Sequence, residues 1–198
     1  MKRIVLFAIL LCSISSFVKA QSGNKVTLSL GPEVNFPFNS TQTYYGKTRQ
    51  YYKDGIGGVL KAELPVLSTL HVTISAGYMH YIANNYYLMY NQTAPYPNYA
   101  FSTTAPKQPS YLFLPIEAGL QYYYSKCLYI SAEAGEAIKL NFATKNSFMY
   151  SSGIGGVIPF NEKSGLDLGV KYERGYEIWS YPFPISQIGV RVAYKRSF

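Results

Sequence analysis

The chain has 198 residues, 48% of them apolar and only 14% charged, with a formal net charge of +8 and 17% aromatics, 21 of them Tyr. That length allows one domain or two small ones. The abundance of Tyr, Phe and aliphatic residues excludes disorder, and the two cysteines, Cys12 and Cys127, exclude a disulfide scaffold.

One uninterrupted apolar stretch exists, at the N-terminus, which argues against a helical membrane bundle. Met1, Lys2 and Arg3 make a basic start, residues 4–12 are an apolar core, and Val18-Lys19-Ala20 ends in the small residue that signal peptidase reads. The stretch is too short for a spanning anchor, which needs about 20 apolar residues. It predicts a signal peptide over 1–20, cleaved before Gln21. Cleavage would remove Lys2, Arg3 and Lys19 and leave residues 21–198 as a single domain, with Cys127 as its one cysteine.

From there the sequence alternates with a period of two, the mark of strands. Eight segments are predicted. In 26–36, Val26, Leu28, Leu30, Val34 and Phe36 oppose Thr27, Ser29, Gly31, Glu33 and Asn35. In 54–64, Ile56, Leu60 and Leu64 oppose Gly55, Gly57, Val59, Lys61 and Glu63. In 70–78, Val72, Ile74 and Tyr78 oppose His71, Thr73, Ser75 and Gly77. In 112–122, Leu114, Ile116 and Leu120 oppose Pro115, Glu117, Gly119 and Gln121. In 128–134, Leu128 and Ile130 oppose Tyr129, Ser131 and Glu133. In 148–158, Phe148, Tyr150 and Ile154 oppose a Gly/Ser face. In 166–172, Leu168 and Val170 oppose Asp167, Gly169 and Lys171. In 188–194, Val190, Val192 and Tyr194 oppose Gly189, Arg191 and Ala193.

Each segment thus has an aliphatic face ending in aromatics and a face of small residues with isolated charges. A sandwich would spread many charges over a solvent face; a narrow barrel would point small residues and paired charges inward and apolar residues to lipid. Connection lengths agree. Those near 65–69, 125–126 and 161–164 are tight, those near 39–53, 82–109 and 174–186 are long, and 141–147 is intermediate. Short turns at one end and long loops at the other is the pattern of outer-membrane barrels. The predicted fold is all-β, an eight-stranded antiparallel up-and-down transmembrane β-barrel, located in a bacterial outer membrane.

The final strand alternates Val190, Val192, Tyr194, Arg196 and Phe198. A terminal Phe on an amphipathic last strand, with Tyr194 on the same face, is read as the signal for the barrel-assembly machinery. The sequence resembles the small outer-membrane barrels of the Bacteroidota PorT-like, porin-family type. The stretches that carry the resemblance are Gly31-Pro32-Glu33, Ile74-Ser75-Ala76-Gly77-Tyr78, Tyr111-Leu112-Phe113-Leu114-Pro115-Ile116-Glu117, Gly169-Val170-Lys171-Tyr172-Glu173-Arg174-Gly175-Tyr176 and Ile188-Gly189-Val190-Arg191-Val192-Ala193-Tyr194. The resemblance implies fold and location. Some relatives serve protein secretion or gliding, a role that no residue here carries over.

The candidate lumen charges are Glu33, Lys61, Glu63, Glu117, Glu133, Asp167, Lys171, Glu173 and Arg191. Both signs occur, so they are expected to pair as a plug, because an unpaired buried charge is costly; an ion path or gate is the functional alternative. The histidines, His71 and His80, predict the lumen and the outer rim respectively, and neither has a Ser and an acid at a triad spacing. Two dispersed His and one Cys make no metal cluster, so no metal, cofactor or catalytic residue is expected. Tyr86, Tyr87, Tyr90, Tyr96, Trp179 and Tyr181 in the long loops are candidates either for an aromatic girdle or for binding a glycan or another cell-surface protein. Loop cations Lys47, Arg49, Lys53 and Lys107 could touch lipopolysaccharide phosphates. Export and dispersed charge speak against nucleic acid. A structural or surface-interaction role is therefore expected, against a narrow ion or solute pore, an outer-membrane lipid-modifying or hydrolytic enzyme, and a soluble lipocalin-like binder with its aliphatic faces turned inward.

Overall fold

The computed structural model describes residues 25–38, 41–44, 47–50, 52–83, 87–91, 98–102, 110–140, 146–177 and 185–198; the segment expected to be a signal peptide lies outside them. The described residues form twelve strands and no helix: β1 (Thr27–Pro37), β2 (Thr41–Tyr44), β3 (Lys47–Gln50), β4 (Tyr52–Pro65), β5 (Leu70–Ala83), β6 (Tyr87–Asn91), β7 (Asn98–Ser102), β8 (Tyr111–Tyr123), β9 (Leu128–Lys139), β10 (Ser147–Pro159), β11 (Ser164–Glu177) and β12 (Ile185–Ser197). Eight of them, β1, β4, β5 and β8 to β12, close an antiparallel barrel in which chain neighbours are sheet neighbours and β1 meets β12. The backbone N–H of Phe198 donates to the Val26 carbonyl at 3.0 Å, which extends that seam to the end of the chain.

The register fixes the barrel's size. Paired residues followed round from Thr27 pass through Glu63, Thr73, Gly119, Glu133, Ser151, Glu173 and Gln187 and return to β1 at Pro37, ten residues further on. Eight strands with that offset tilt by roughly 40° and give a backbone radius of about 8 Å, a lumen that side chains fill.

The faces divide as the alternation requires. Leu30 (62% exposed), Leu60, Leu120, Ile130, Ile154 (63%), Val170 and Val192 point outward, while Glu33, Lys61, Glu63, Glu117, Asp167, Arg191 and Lys195 are buried inside. Outward aromatics flank the apolar belt: Tyr122, Tyr124, Phe160, Tyr194 and Phe198 toward the short turns, and Phe36, Phe38, Tyr78 and Phe148 toward the long connections. The tight turns are held locally. Asn161 Oδ1 accepts from the N–H groups of Lys163 and Ser164 at 2.9 and 2.8 Å, and Ser125 Oγ from that of Leu128 at 3.1 Å.

Two differences from the sequence reading have physical causes. The long connections contain hairpins of their own, β2–β3 and β6–β7, where main-chain pairing, not apolar alternation, defines the strands. The barrel strands also run past the alternating segments toward the long connections: β9 continues beyond 134 and β11 beyond 172. There the outward positions carry Glu136 and Arg174, polar residues that break the apolar repeat at the upper edge of the belt.

Candidate functional site

The lumen is stacked in layers. Nearest the short turns, Lys195 Nζ donates to both oxygens of Glu63 at 2.6 and 2.7 Å and to Tyr123 Oη at 2.5 Å, and Tyr123 donates on to Glu63 at 3.0 Å. Gln121 Nε2 donates to the same phenol at 2.7 Å. His71 Nδ1 stands 3.4 Å from Glu63, with its ring 4.8 Å from that of Tyr123. Beside this group Asp167, wholly buried, accepts from Arg191 Nη2 and from Tyr129 Oη, both at 2.6 Å.

Above it Lys61 pairs with Glu133 at 2.8 Å, and Thr73 Oγ1 donates to that carboxylate at 2.7 Å. At the next level Lys171 stands 3.0 Å from Glu33, 2.7 Å from Glu173 and 3.8 Å from Glu117, to which Ser151 Oγ donates at 3.2 Å. Gln187 donates to Glu173 and to Tyr81 Oη.

Glycines explain how these side chains reach one another. Tyr129 starts on β9 but its acceptor is on β11; it lies across Gly155 of β10, where an added Cβ would stand 2.3 Å from the phenol oxygen. Lys171 starts on β11 and reaches Glu33 on β1 by crossing β12 at Gly189, where an added Cβ would meet its methylenes at 3.1 Å. The glycine face is a set of troughs for long side chains. Glu63, Asp167, Glu133, Glu173, Lys171 and Lys195 each hold two or more polar partners, the condition for an ion pair to persist in a low-dielectric interior.

All nine candidate lumen charges, Glu33, Lys61, Glu63, Glu117, Glu133, Asp167, Lys171, Glu173 and Arg191, thus face one interior. Sequence reasoning missed Lys195, Tyr123, Tyr129, Tyr81 and Gln187 as members. The alternation did place Tyr129 on the inner face, and carried one residue past 194 it places Lys195 there with Arg191 and Ala193; that was the available signal. The other candidates are elsewhere. Tyr194 and Phe198 are exposed on the outer face near the short turns, with the Arg196 guanidinium 5.6 Å from the Phe198 ring. Tyr87 and Tyr90 lie on β6, opposite Ser102 and Tyr99 of β7, positions given by register alone. Tyr86, Tyr96, Trp179 and Tyr181 fall outside the described residues. His71 and His80 take opposite faces of β5, and among the described residues no group of three or more His, Cys, Asp or Glu could hold a metal ion.

The upper lumen corrects one expectation. The inner face was read as small and polar throughout, but toward the long connections Val59, Met79, Tyr81, Phe113, Ala137 and Met149 form a buried apolar cluster. Val59 falls within the 54–64 segment, on the inner face that alternation assigned it; the other positions lie at or beyond the ends of the alternating segments, where the inner face changes from charged to apolar.

No family model matches the chain, and no curated protein matches it in sequence. Solved structures match its fold. The outer membrane protein OprG from Pseudomonas aeruginosa is similar with a TM-score of 0.54 and 10% identity, covering 90% of this chain and 97% of its own. Neisserial surface protein A gives 0.52 and 13%, covering 89% and 98%, and outer membrane protein AlkL gives 0.50 and 11%, covering 90% and 93%. The fold is therefore that of the small eight-stranded barrels.

Proposed function

We propose that the chain is an integral protein of a bacterial outer membrane, of the PorT-like type that its strand motifs resemble, exported by a signal peptide over 1–20 and assembled through its last strand with Tyr194 and Phe198. Its barrel serves as an anchor, and its tyrosine-rich long connections engage a cell-surface protein or a glycan. The observation that carries the reading is the contrast of the two faces: an apolar, aromatic-flanked belt outside and a lumen whose charges pair with one another inside. A soluble binder would reverse that contrast. The belt suits lipid, since a lipid-facing barrel surface must be apolar, and the paired lumen favours an anchor over a wide channel. No catalytic role is assigned, because His71 and His80 occupy opposite faces of one strand.

Two experiments test this. Fractionated cells should hold the protein with the outer membrane, and on detergent gels it should migrate differently unheated and heated; a soluble periplasmic protein without that shift refutes the membrane reading. The barrel in lipid nanodiscs should bind to an array of bacterial surface glycans or to outer-membrane protein extracts. Replacing Tyr86, Tyr87, Tyr90 and Tyr96 by Ser, or Trp179 and Tyr181 by Ala, should abolish that binding without changing the gel shift. Binding that survives both sets refutes the role of the connections.

A further inference from the structure

The short-turn rim of the barrel is basic. Among the described residues its exposed charged side chains are Lys25, Lys126, Glu162, Lys163 and Arg196, four cations and one acid. The outward aromatics Tyr122, Tyr124, Phe160, Tyr194 and Phe198 stand at the same end. In an outer-membrane barrel such a girdle marks the depth of the lipid headgroups.

Two of the cations share one cleft. Its volume is about 530 Å³, and it is walled by Asn161, Glu162, Lys163 and Ser164, at the turn from β10 into β11, and by Tyr194 and Arg196 of β12. Backbone contacts fix these walls. The Ser197 N–H donates to the Lys163 carbonyl at 2.7 Å, which ties the end of β12 to the turn, and Arg196 is opposite Ser164 in the β11–β12 register. Asn161 Oδ1 is occupied by the N–H groups of Lys163 and Ser164. The charges are not occupied: among the described residues no ion pair involves Glu162, Lys163 or Arg196. The cleft opens onto the apolar belt, where Tyr194 is opposite Leu166 and, one step further along the outer face, Val192 is opposite Leu168.

We propose that this cleft seats the headgroup of an anionic phospholipid of the phosphatidylglycerol kind. The phosphate lies between Arg196 and Lys163, Tyr194 Oη donates to it, and the acyl chains run up the belt along Leu168 and Val192. Two cations and one acid give the cleft one net positive charge, which a lipid of one negative charge balances. A zwitterionic lipid brings a cation of its own and leaves that charge uncompensated. A glycerol hydroxyl of the headgroup can donate to Glu162, where a second phosphate would be repelled. Arginine presents phosphate with a planar fork of donors, and a soluble phosphate ester has no chains to lay on the apolar strip. This site presupposes the outer-membrane location proposed for the chain and is independent of the role of the long connections.

The test is native mass spectrometry of the full barrel, purified in detergent with equal amounts of phosphatidylglycerol and phosphatidylcholine of identical chains. The wild type should retain phosphatidylglycerol about tenfold over phosphatidylcholine, and Arg196→Gln with Lys163→Gln should lower its retention by a similar factor. Lys25→Gln with Lys126→Gln, on the same rim but outside the cleft, should change retention by less than about twofold. Equal retention of the two lipids by the wild type overturns the proposal, even if the cleft variant misfolds. So does an equal loss in both variants, which would make the whole rim, and not the cleft, the attractor. So does displacement of the lipid by glycerol phosphate at the same concentration, which would make the cleft a site for soluble phosphate esters. A protein that fractionates with the outer membrane and shows the gel shift, yet has no lipid preference, sinks this site alone; a soluble protein without the shift sinks the membrane reading itself.

Discussion

Replacing Arg191 by Met should be among the most damaging single changes in this barrel. Asp167 has no exposed surface and holds two charge-assisted contacts, to Arg191 Nη2 and Tyr129 Oη, each at 2.6 Å. Removing the guanidinium leaves a buried carboxylate with a single phenolic donor. Breaking a buried pair on one side costs about 3–5 kcal/mol, a large share of a typical stability of about 5–15 kcal/mol. With a urea slope of about 2 kcal/mol per M, the unfolding midpoint should fall by roughly 1.5–2.5 M. The assay is reversible urea unfolding in lipid vesicles, followed by the fraction that migrates as a folded band on unheated gels. Removing the whole group, Asp167→Leu with Arg191→Met and Tyr129→Phe, leaves neither a buried charge nor an orphaned hydroxyl, so most of the loss should return. A shift below about 0.5 M, or about 1 kcal/mol, for Arg191→Met would refute the reasoning. Water would then reach Asp167, and a hydrated path would replace the paired plug.

Three further outcomes follow from the same geometry. Leu60→Lys, at the middle of the outer belt, should lower stability in vesicles by about 2–4 kcal/mol, whereas Leu67→Lys in the exposed 66–69 turn should cost about 0–1; equal costs would mean that the belt does not face lipid. Gly135→Ala should sharply reduce the folded band, because its Cβ would stand 1.9 Å from the Ile116 carbonyl oxygen, while Gly58→Ala, with its nearest neighbour at 3.6 Å, should fold normally. Phe198→Ala removes an exposed side chain, so urea unfolding of the purified barrel should move by no more than about 0.5 kcal/mol, while the amount assembled in cells drops severalfold if the residue is read by the assembly machinery.

The faces of the barrel were legible in the sequence because strand alternation has a period of two and one face meets lipid: the inward and outward sets of β1, β4 and β5 follow from counting. The pairings were not legible, because they depend on the ten-residue offset round the barrel. Glu33 is directly opposite Arg191 across β1 and β12, so a local rule would join them. Instead Arg191 takes Asp167, diagonally across β11 and β12, and Glu33 takes Lys171 from two strands away. No spacing encodes Lys61 with Glu133, which meet across the lumen from β4 and β9. Nor could alternation show the apolar upper chamber, since Met79, Tyr81 and Phe113 lie beyond or at the edge of the repeating segments.

The narrow lumen changes character along its length. Toward the short turns each charge has a dedicated partner and a phenol or amide that completes its hydrogen bonding, an arrangement that fixes the cross-section of the barrel. Toward the long connections the pairing becomes uneven at Lys171 and the walls turn apolar. The uneven pairing at Lys171 and the apolar cluster of Met79, Tyr81, Phe113 and Met149 distinguish this lumen from a uniform salt-bridged plug.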